Sequence, residues 1–136
     1  MDFYGEVVFI ISDLKKIEVD FGSDFLPTKT VNKGDVIILG RKAPYNRWLY
    51  EVKFEDAEKY LDALEQLTNQ LYGKRDYLNE LIKRYETVSI DIYIRSDFAE
   101  IGYSLPNDII KKLALLDCPV NFEIFSFGMA INEEMS

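Results

Sequence analysis

The apolar residues change their spacing along the chain, and this change limits the folds that the chain can adopt. Between Trp48 and Phe54 every second residue is apolar, which is typical of a strand with one buried face. Residues 55–72 carry apolar side chains at steps of three and four, as in a helix with one buried stripe. That stripe consists of Ala57, Tyr60, Leu61, Leu64, Leu67 and Leu71. A chain with both patterns is expected to pack helices against a sheet, so the predicted fold class is α+β.

The same two patterns predict the other elements. We expect strands at residues 3–11, 28–31, 36–39, 48–54, 88–95, 101–105 and 120–127, and helices at 55–72, 75–85 and 106–116. Pro106 suits the start of the last helix, and Pro119 prevents that helix from continuing. Short connections favour two layers, with a mainly antiparallel or mixed sheet and about three helices packed on one face.

The size and composition of the chain indicate one domain. The chain has 136 residues, of which 48% are hydrophobic, and this is enough apolar mass for one core but too little for two. No Gly/Ser-rich or Pro-rich tract divides the sequence into parts. We therefore expect one domain over residues 1–136, with an ordered core at about residues 3–127 and a C-terminal tail at residues 128–136.

The cysteine content and the first residues indicate the cytoplasm. Cys118 is the only cysteine, so it cannot form a disulfide within the chain. Asp2 and Glu6 flank the first apolar run, where a secretory signal would need basic residues and a longer apolar core. No run approaches the roughly 20 apolar residues that cross a bilayer. A net charge of −8 also disfavours anionic lipid headgroups, so no membrane partner is expected.

The negative charge is concentrated in the second part of the chain. Acidic and basic residues balance up to Lys53, so the whole excess lies beyond that residue. Such a charge disfavours nucleic acid, whose phosphates require basic patches, and it favours a basic protein as the partner. The alternative is that the charge serves only solubility.

The chain contains no histidine, and this removes several kinds of chemistry. Histidine is the commonest general base near neutral pH and the commonest zinc ligand. Cys118 therefore has no imidazole to activate it, and its place between a helix and a strand suits a small buried residue. The sequence also has no glycine-rich phosphate loop. We expect a protein that is not an enzyme, with no catalytic residue, no metal site and no cofactor.

Carboxylates are the remaining candidates for catalysis or metal binding. Glu51, Asp91 and Glu123 alternate with apolar residues, so they are expected on the outer faces of their strands. If those strands are neighbours, the carboxylates could hold a divalent cation or act as an acid–base pair. The alternative that we favour is a solvated face on which these acids pair with Lys53 and Arg95.

One loop combines positive charge with aromatic rings and is a candidate for binding a partner. In residues 41–48, Arg41, Tyr45 and Arg47 precede Trp48. This mixture is common in recognition loops. In the alternative interpretation, Trp48 anchors the core and the basic residues are ordinary loop charges.

The outer face of the sheet is the second candidate. Alternation places Tyr93 and Phe125 there beside Asp91 and Glu123, with Phe127 further along, provided that the even-numbered residues of the last strand face the core. An aromatic patch rimmed by acids suits a cationic protein or a second copy of the chain. The alternative is that the segment between the first two strands covers these rings.

The order of the motifs resembles one known family. The motifs are FLPTKT at 25–30, KGD at 33–35, RWLY at 47–50, a long leucine helix, a strand at 88–94 and GYSLP at 102–106, followed by a helix and a final strand. In this order they resemble the bacterial domain-of-unknown-function family 4279 (DUF4279) over about residues 3–127. The resemblance implies an α+β fold and a short helix within residues 12–26. In that segment Ile17, Val19 and Phe21 instead alternate as in a strand, so its structure stays open.

These observations predict a non-catalytic protein-binding module. The expected partner is another protein, and the charge favours a basic one. Some members of the family resemble immunity proteins encoded beside secreted toxins, so the resemblance implies an immunity or antitoxin-like inhibitor as one role. The alternative is a sensor domain that binds a small ligand or a metal through the sheet-face carboxylates and the loop at residues 41–48. A homodimer is also left open.

Overall fold

The computed structural model describes residues 2–129, and the strands within them form a single mixed sheet. The strands are β1 (Tyr4–Asp13), β2 (Lys29–Val31), β3 (Asn46–Phe54), β4 (Thr87–Phe98) and β5 (Val120–Met129). The helices are α1 (Ala57–Tyr72), α2 (Arg75–Arg84) and α3 (Asn107–Leu116), and a 3-10 turn lies at Ile38–Gly40. The predicted α+β fold with three helices is confirmed.

β1 lies at the centre of the sheet, and it is apolar on both faces. The strand order is β2-β3-β1-β4-β5, and all neighbours are antiparallel except β4 and β5, which are parallel. Val7, Phe9 and Ile11 face the helices and are fully buried, and Val8 on the opposite face is buried as well. A strand of this composition removes the most apolar surface from water when it has a neighbour on each side.

The helices pack on one face of the sheet and enclose the core. α1 begins after Asp56, whose carboxylate accepts a hydrogen bond from the backbone N–H of Lys59 at 3.1 Å. Leu64, Leu67 and Leu71 of α1 are fully buried in the core. Because burying a leucine side chain contributes about 2 kcal/mol, this stripe is a main source of stability.

The segment between β1 and β2 is neither a strand nor a helix. Residues 14–28 are irregular, yet Phe21 and Phe25 are buried and stack with ring centroids 4.5 Å apart. Phe21 also meets the ring of Tyr77 in α2, with centroids 5.1 Å apart. The segment therefore packs on the helix side and leaves the opposite face of the sheet uncovered.

The structure corrects two predicted extended segments. The strand predicted at residues 101–105 is wrong, because β1 and β5 already occupy both edges of β4. The extended piece predicted at residues 36–39 is reduced to one bridge between Val36 and Lys42. Leu39 adopts a φ of 55°, which turns the chain back and prevents a longer strand.

Two further findings concern the membrane and the C-terminus. Within residues 2–129, no helix is both long and apolar enough to cross a membrane. β5 continues to Met129 and so includes the first two residues of the predicted tail. The remainder of that tail, residues 130–136, lies outside the described residues.

Candidate protein-binding surface

The face of the sheet opposite the helices, which we call the outer face, is open to solvent. On β4 it carries Asp91, Tyr93 and Arg95, while the alternating residues of that strand face the core. The parallel register of β5 places Glu123 beside Tyr93 and Phe125 beside Arg95. Four of the residues predicted to bind a partner therefore lie on two neighbouring strands.

Asp91 is held in place by hydrogen bonds. Its carboxylate accepts one from Asn121 Nδ2 at 2.9 Å and one from Ser89 Oγ at 3.0 Å, and the hydroxyl of Tyr93 lies 3.5 Å away. A carboxylate has lone pairs for about four donors. Asp91 therefore has a fixed position and can still accept a hydrogen bond from a cationic group.

The surroundings of Tyr93 are negatively charged. Partial burial raises the pKa of the Tyr93 hydroxyl. Three nearby carboxylates, those of Asp91, Glu123 and Glu6, raise this pKa further. The guanidinium of Arg47 acts in the opposite direction. The ring of Tyr93 thus lies among carboxylates, and the guanidinium of Arg95 lies over this ring at 5.9 Å from its centroid.

Arg95 is neutralised by a carboxylate that the sequence analysis did not single out. Its guanidinium donates hydrogen bonds of 2.9 and 3.0 Å to the two oxygens of Glu6, in a partly buried bidentate pair. The hydrogen bonds to Glu6 raise the pKa of Arg95. The predicted pairing of Arg95 with Glu51, Asp91 or Glu123 is therefore wrong. Alternation along the first strand places Glu6 on the outer face, and this is the signal that could have identified it.

The start of β3 and the residue before it add a wall to the outer face. Tyr45 and Arg47 line a shallow depression of about 330 Å³ together with Asp91 and Tyr93. The rest of the lining comes from Ile10, Ser12, Glu86, Thr87, Ser89 and Asn121. The two surfaces that were predicted separately meet here, because β3 and β4 are the two neighbours of β1.

Arg41 lies away from this depression. It belongs to a projecting hairpin at residues 34–43, where its N–H donates to the carbonyl of Ile38 at 3.1 Å. The hairpin tip is apolar, and Leu39 is 92% exposed. Trp48 is buried in the core, as in the alternative interpretation of this loop. Only Tyr45 and Arg47 of the predicted recognition loop therefore join the outer-face site.

The three outer-face carboxylates are not grouped together. β1 separates β3 from β4, so that Val8 pairs with Glu51 on one side and with Asp91 on the other. Glu123 lies on the far side of β4. In the described part of the chain, no three Asp, Glu, Cys or His side chains lie close enough to hold a metal ion. Each of these carboxylates therefore lies on a different strand of the outer face.

Cys118 follows α3 and is partly buried beside the core. Burial raises the pKa of its thiol to about 11. The thiol is therefore protonated at neutral pH, and a protonated thiol is a weak nucleophile.

Comparison with known proteins gives a family but no individual relative. The family model described as "Domain of unknown function (DUF4279)" matches residues 9–126, which is most of the chain. No curated protein and no solved structure matches the chain. The resemblance inferred from the order of the motifs is therefore confirmed.

Proposed function

The chain belongs to the DUF4279 family, and from the surface described above we propose that it is a non-catalytic protein-binding module. It holds a basic protein against the outer face of the sheet. The observation that carries this proposal is the position of Tyr93, a partly exposed ring beside the carboxylates of Asp91 and Glu123. Inhibition of a basic toxin, as in an immunity protein, is the form of binding that the family resemblance favours.

A lysine or arginine of the partner can use two features of this surface at once. Its charged group can donate hydrogen bonds to Asp91 or Glu123 beside the ring of Tyr93. The guanidinium of Arg95 already lies 5.9 Å from the ring centroids of Tyr93 and Phe125, so the carboxylates provide the main attraction. Glu6 does not compete for this group, because its carboxylate is already held by a guanidinium. Aromatic residues next to charged groups often contribute most of the binding energy of an interface.

The charge of the rest of the protein supports the same partner. The net charge is −8, and the excess lies beyond Lys53, in the part of the chain that includes β4 and β5. This field attracts a basic protein over a distance of about 10 Å at moderate salt and is screened at higher salt. Association should therefore be salt-sensitive.

Affinity capture with surface variants tests this proposal. The immobilised chain is exposed to a lysate of the organism that encodes it, at low and at high salt. We expect the chain to retain a basic protein at low salt and to release it at high salt. The double variant Asp91→Asn/Glu123→Gln should lose that protein, because it removes the carboxylates nearest to Tyr93 on β4 and β5.

A matched control separates the site from the overall charge. The double variant Glu58→Gln/Glu65→Gln makes the same change in net charge at exposed positions of α1, and it should retain the partner. Equal losses from the two double variants would place binding outside the outer face. Failure to retain any protein at either salt concentration would contradict the proposal as a whole.

A second candidate function is a sensor domain for a small ligand. It is favoured by the depression beside Tyr45, where the guanidinium of Arg47 shares one lining with the carboxylates of Asp91 and Glu86. Such a mixture suits a small zwitterion or an anionic metabolite. A metal ligand is disfavoured, because the described residues contain no cluster of metal-binding side chains.

Thermal unfolding distinguishes this candidate from a protein-binding role. A ligand that binds only the native state raises the melting temperature by mass action. Amino acids and anionic metabolites should therefore shift the wild-type chain and leave an Arg47→Met variant unshifted. A screen without any shift would exclude the tested ligand classes and leave protein binding as the function to pursue.

A further inference from the structure

β5 is the last strand of the sheet, and within residues 2–129 its outer edge pairs with no other strand. The hydrogen bonds to β4 determine which backbone groups point to this edge. The N–H of Ile90 donates to the carbonyl of Pro119 at 2.9 Å, so the odd-numbered residues of β5 direct their backbone groups toward β4. The N–H and C=O groups of Phe122 and Ile124 therefore point outward, where another strand can bond to them.

From Val120 to Ser126, this edge lacks the features by which proteins keep strands from pairing with each other. Residues 120–128 contain no proline and no lysine, and Glu123 is their only charged residue. β5 pairs with β4 in an unbroken register from Val120 to Ser126, and its one irregularity lies beyond that stretch, at Gly128 with a φ of 75°. β2, at the opposite edge, has only 3 residues and begins with Lys29, so it shows the protection that β5 lacks.

Apolar side chains are exposed on both faces of β5. On the helix side, Phe122 and Ile124 are 38% and 45% exposed. On the outer face, Phe125 and Phe127 are 48% and 59% exposed. A partner lying flat on one face would cover only two of these side chains, but a strand added alongside β5 brings side chains to both faces. The exposure of apolar side chains on both faces of β5 therefore favours pairing with another strand.

We infer that two copies of the chain pair along β5, antiparallel and related by a two-fold axis, so that two five-stranded sheets become one. The register that places Ile124 opposite its own copy pairs residues 122–126 of the two strands, all of which lie before the irregularity at Gly128. The outward backbone groups of the two Ile124 residues then exchange both hydrogen bonds. In this register Phe125 stands opposite Glu123, so the two glutamates are not directly opposed.

The exposed area and the charge of the edge both suit a second copy. The four apolar side chains together present roughly 400 Å² per copy, at about 200 Å² for a fully exposed side chain of this size. Two copies bury roughly 800 Å² of apolar side-chain area, about half of a standard interface, and the strand backbones and their neighbours add more. A basic partner would find only Glu123 on this edge, whereas two identical apolar edges complement each other without charge.

This dimer goes beyond the proposed function, and the two surfaces share only Glu123 and Phe125. It is held by the backbone of β5 and by the side chains along its edge. Asp91 and Tyr93 lie one strand further in and stay accessible on the outer face. Dimerisation can therefore be lost by a change at Ile124 while the carboxylate of Asp91 and the ring of Tyr93 remain available to a partner.

Light scattering after size-exclusion chromatography tests the dimer, using the full purified chain. The wild type should have twice the mass of the 15.9 kDa chain. Ile124→Pro removes an outward N–H but no bond to β4, so this variant should be folded and monomeric. Ile124→Lys places two positive charges on the two-fold axis and should also be monomeric. The controls Ile124→Val and Leu26→Lys, the latter at an exposed leucine away from β5, should remain dimeric.

Each outcome decides the question. A wild-type chain that stays monomeric at the highest concentration it tolerates would overturn the inference. Dimers that persist in both folded Ile124 variants, with folding checked by circular dichroism, would place the interface elsewhere and overturn it as well. Retention of a basic protein by a monomeric Ile124→Lys variant would leave the protein-binding proposal standing while the dimer is broken.

Discussion

Replacing Tyr60 with phenylalanine should raise the free energy of unfolding. The Tyr60 side chain is 2% exposed and packs edge-on against the rings of Phe3 and Phe54, with centroids 5.6 and 5.4 Å away. Within the described structure its buried hydroxyl has no hydrogen-bond partner. A buried polar group without a partner costs about 1–3 kcal/mol. Removing the hydroxyl while keeping the ring should therefore stabilise the protein by about 1 kcal/mol.

The advantage of this substitution should grow at alkaline pH. Burial raises the pKa of Tyr60 from its ordinary value of 10.0 to about 12. The unfolded chain therefore ionises first, so the contribution of neutral Tyr60 to stability is fully present below pH 10 and is lost as the pH rises toward 12. At about 1.4 kcal/mol for each unit of pKa shift, the wild type should lose on the order of 3 kcal/mol over this range. The Tyr60→Phe variant has no hydroxyl to ionise, so its free energy of unfolding should not fall for this reason.

Denaturant unfolding followed by the fluorescence of Trp48 measures both effects, because Trp48 is the only tryptophan and is buried. Tyr85→Phe is the matched control. The Tyr85 hydroxyl accepts a hydrogen bond from the N–H of Glu18 at 2.8 Å and donates one to the carbonyl of Glu18 at 3.2 Å. Its loss should destabilise the protein by about 1–2 kcal/mol. A Tyr60→Phe variant that is less stable at neutral pH, or whose advantage is the same at neutral and alkaline pH, would refute this reasoning.

Three further outcomes can be measured on the purified chain. Gly5→Ala should lower the free energy of unfolding by about 3 kcal/mol, because the added Cβ overlaps the carbonyl oxygen of Tyr93. The control Gly102→Ala adds a Cβ in open space, so it should leave the free energy of unfolding nearly unchanged in the same melts. Leu39→Asn should stabilise the hairpin by about 1 kcal/mol in denaturant titrations, because the left-handed φ of 55° suits asparagine better than leucine. Alkylation of Cys118 by iodoacetamide should be slow in the native state at neutral pH, because the thiolate is the reactive form. The rate should rise with pH up to about 11, the raised pKa of this thiol. Rapid alkylation of the native protein at neutral pH would contradict the raised pKa.

Most elements could be predicted from the sequence because each depends on residues close together in the chain. The stripe of α1, its end at Gly73 and the alternation in β3 are local patterns. The order of the strands depends instead on contacts between distant residues, which no local pattern encodes. Residues 101–105 show the difference, because their composition suits a strand but no edge of β4 is left for them.

The difference between local patterns and contacts of distant residues also explains which part of the candidate site could be predicted. Alternation was sufficient to place Asp91, Tyr93 and Glu123 on one face. It did not show that β1 would be the other neighbour of β4, and so the role of Glu6 was missed. That role decides the charge of the face, because Glu6 neutralises Arg95 through two hydrogen bonds. Without an acid at this position of β1, Arg95 would be free to pair with Asp91 or Glu123, and the surface around Tyr93 would lose the negative charge on which the proposed binding of a cation depends.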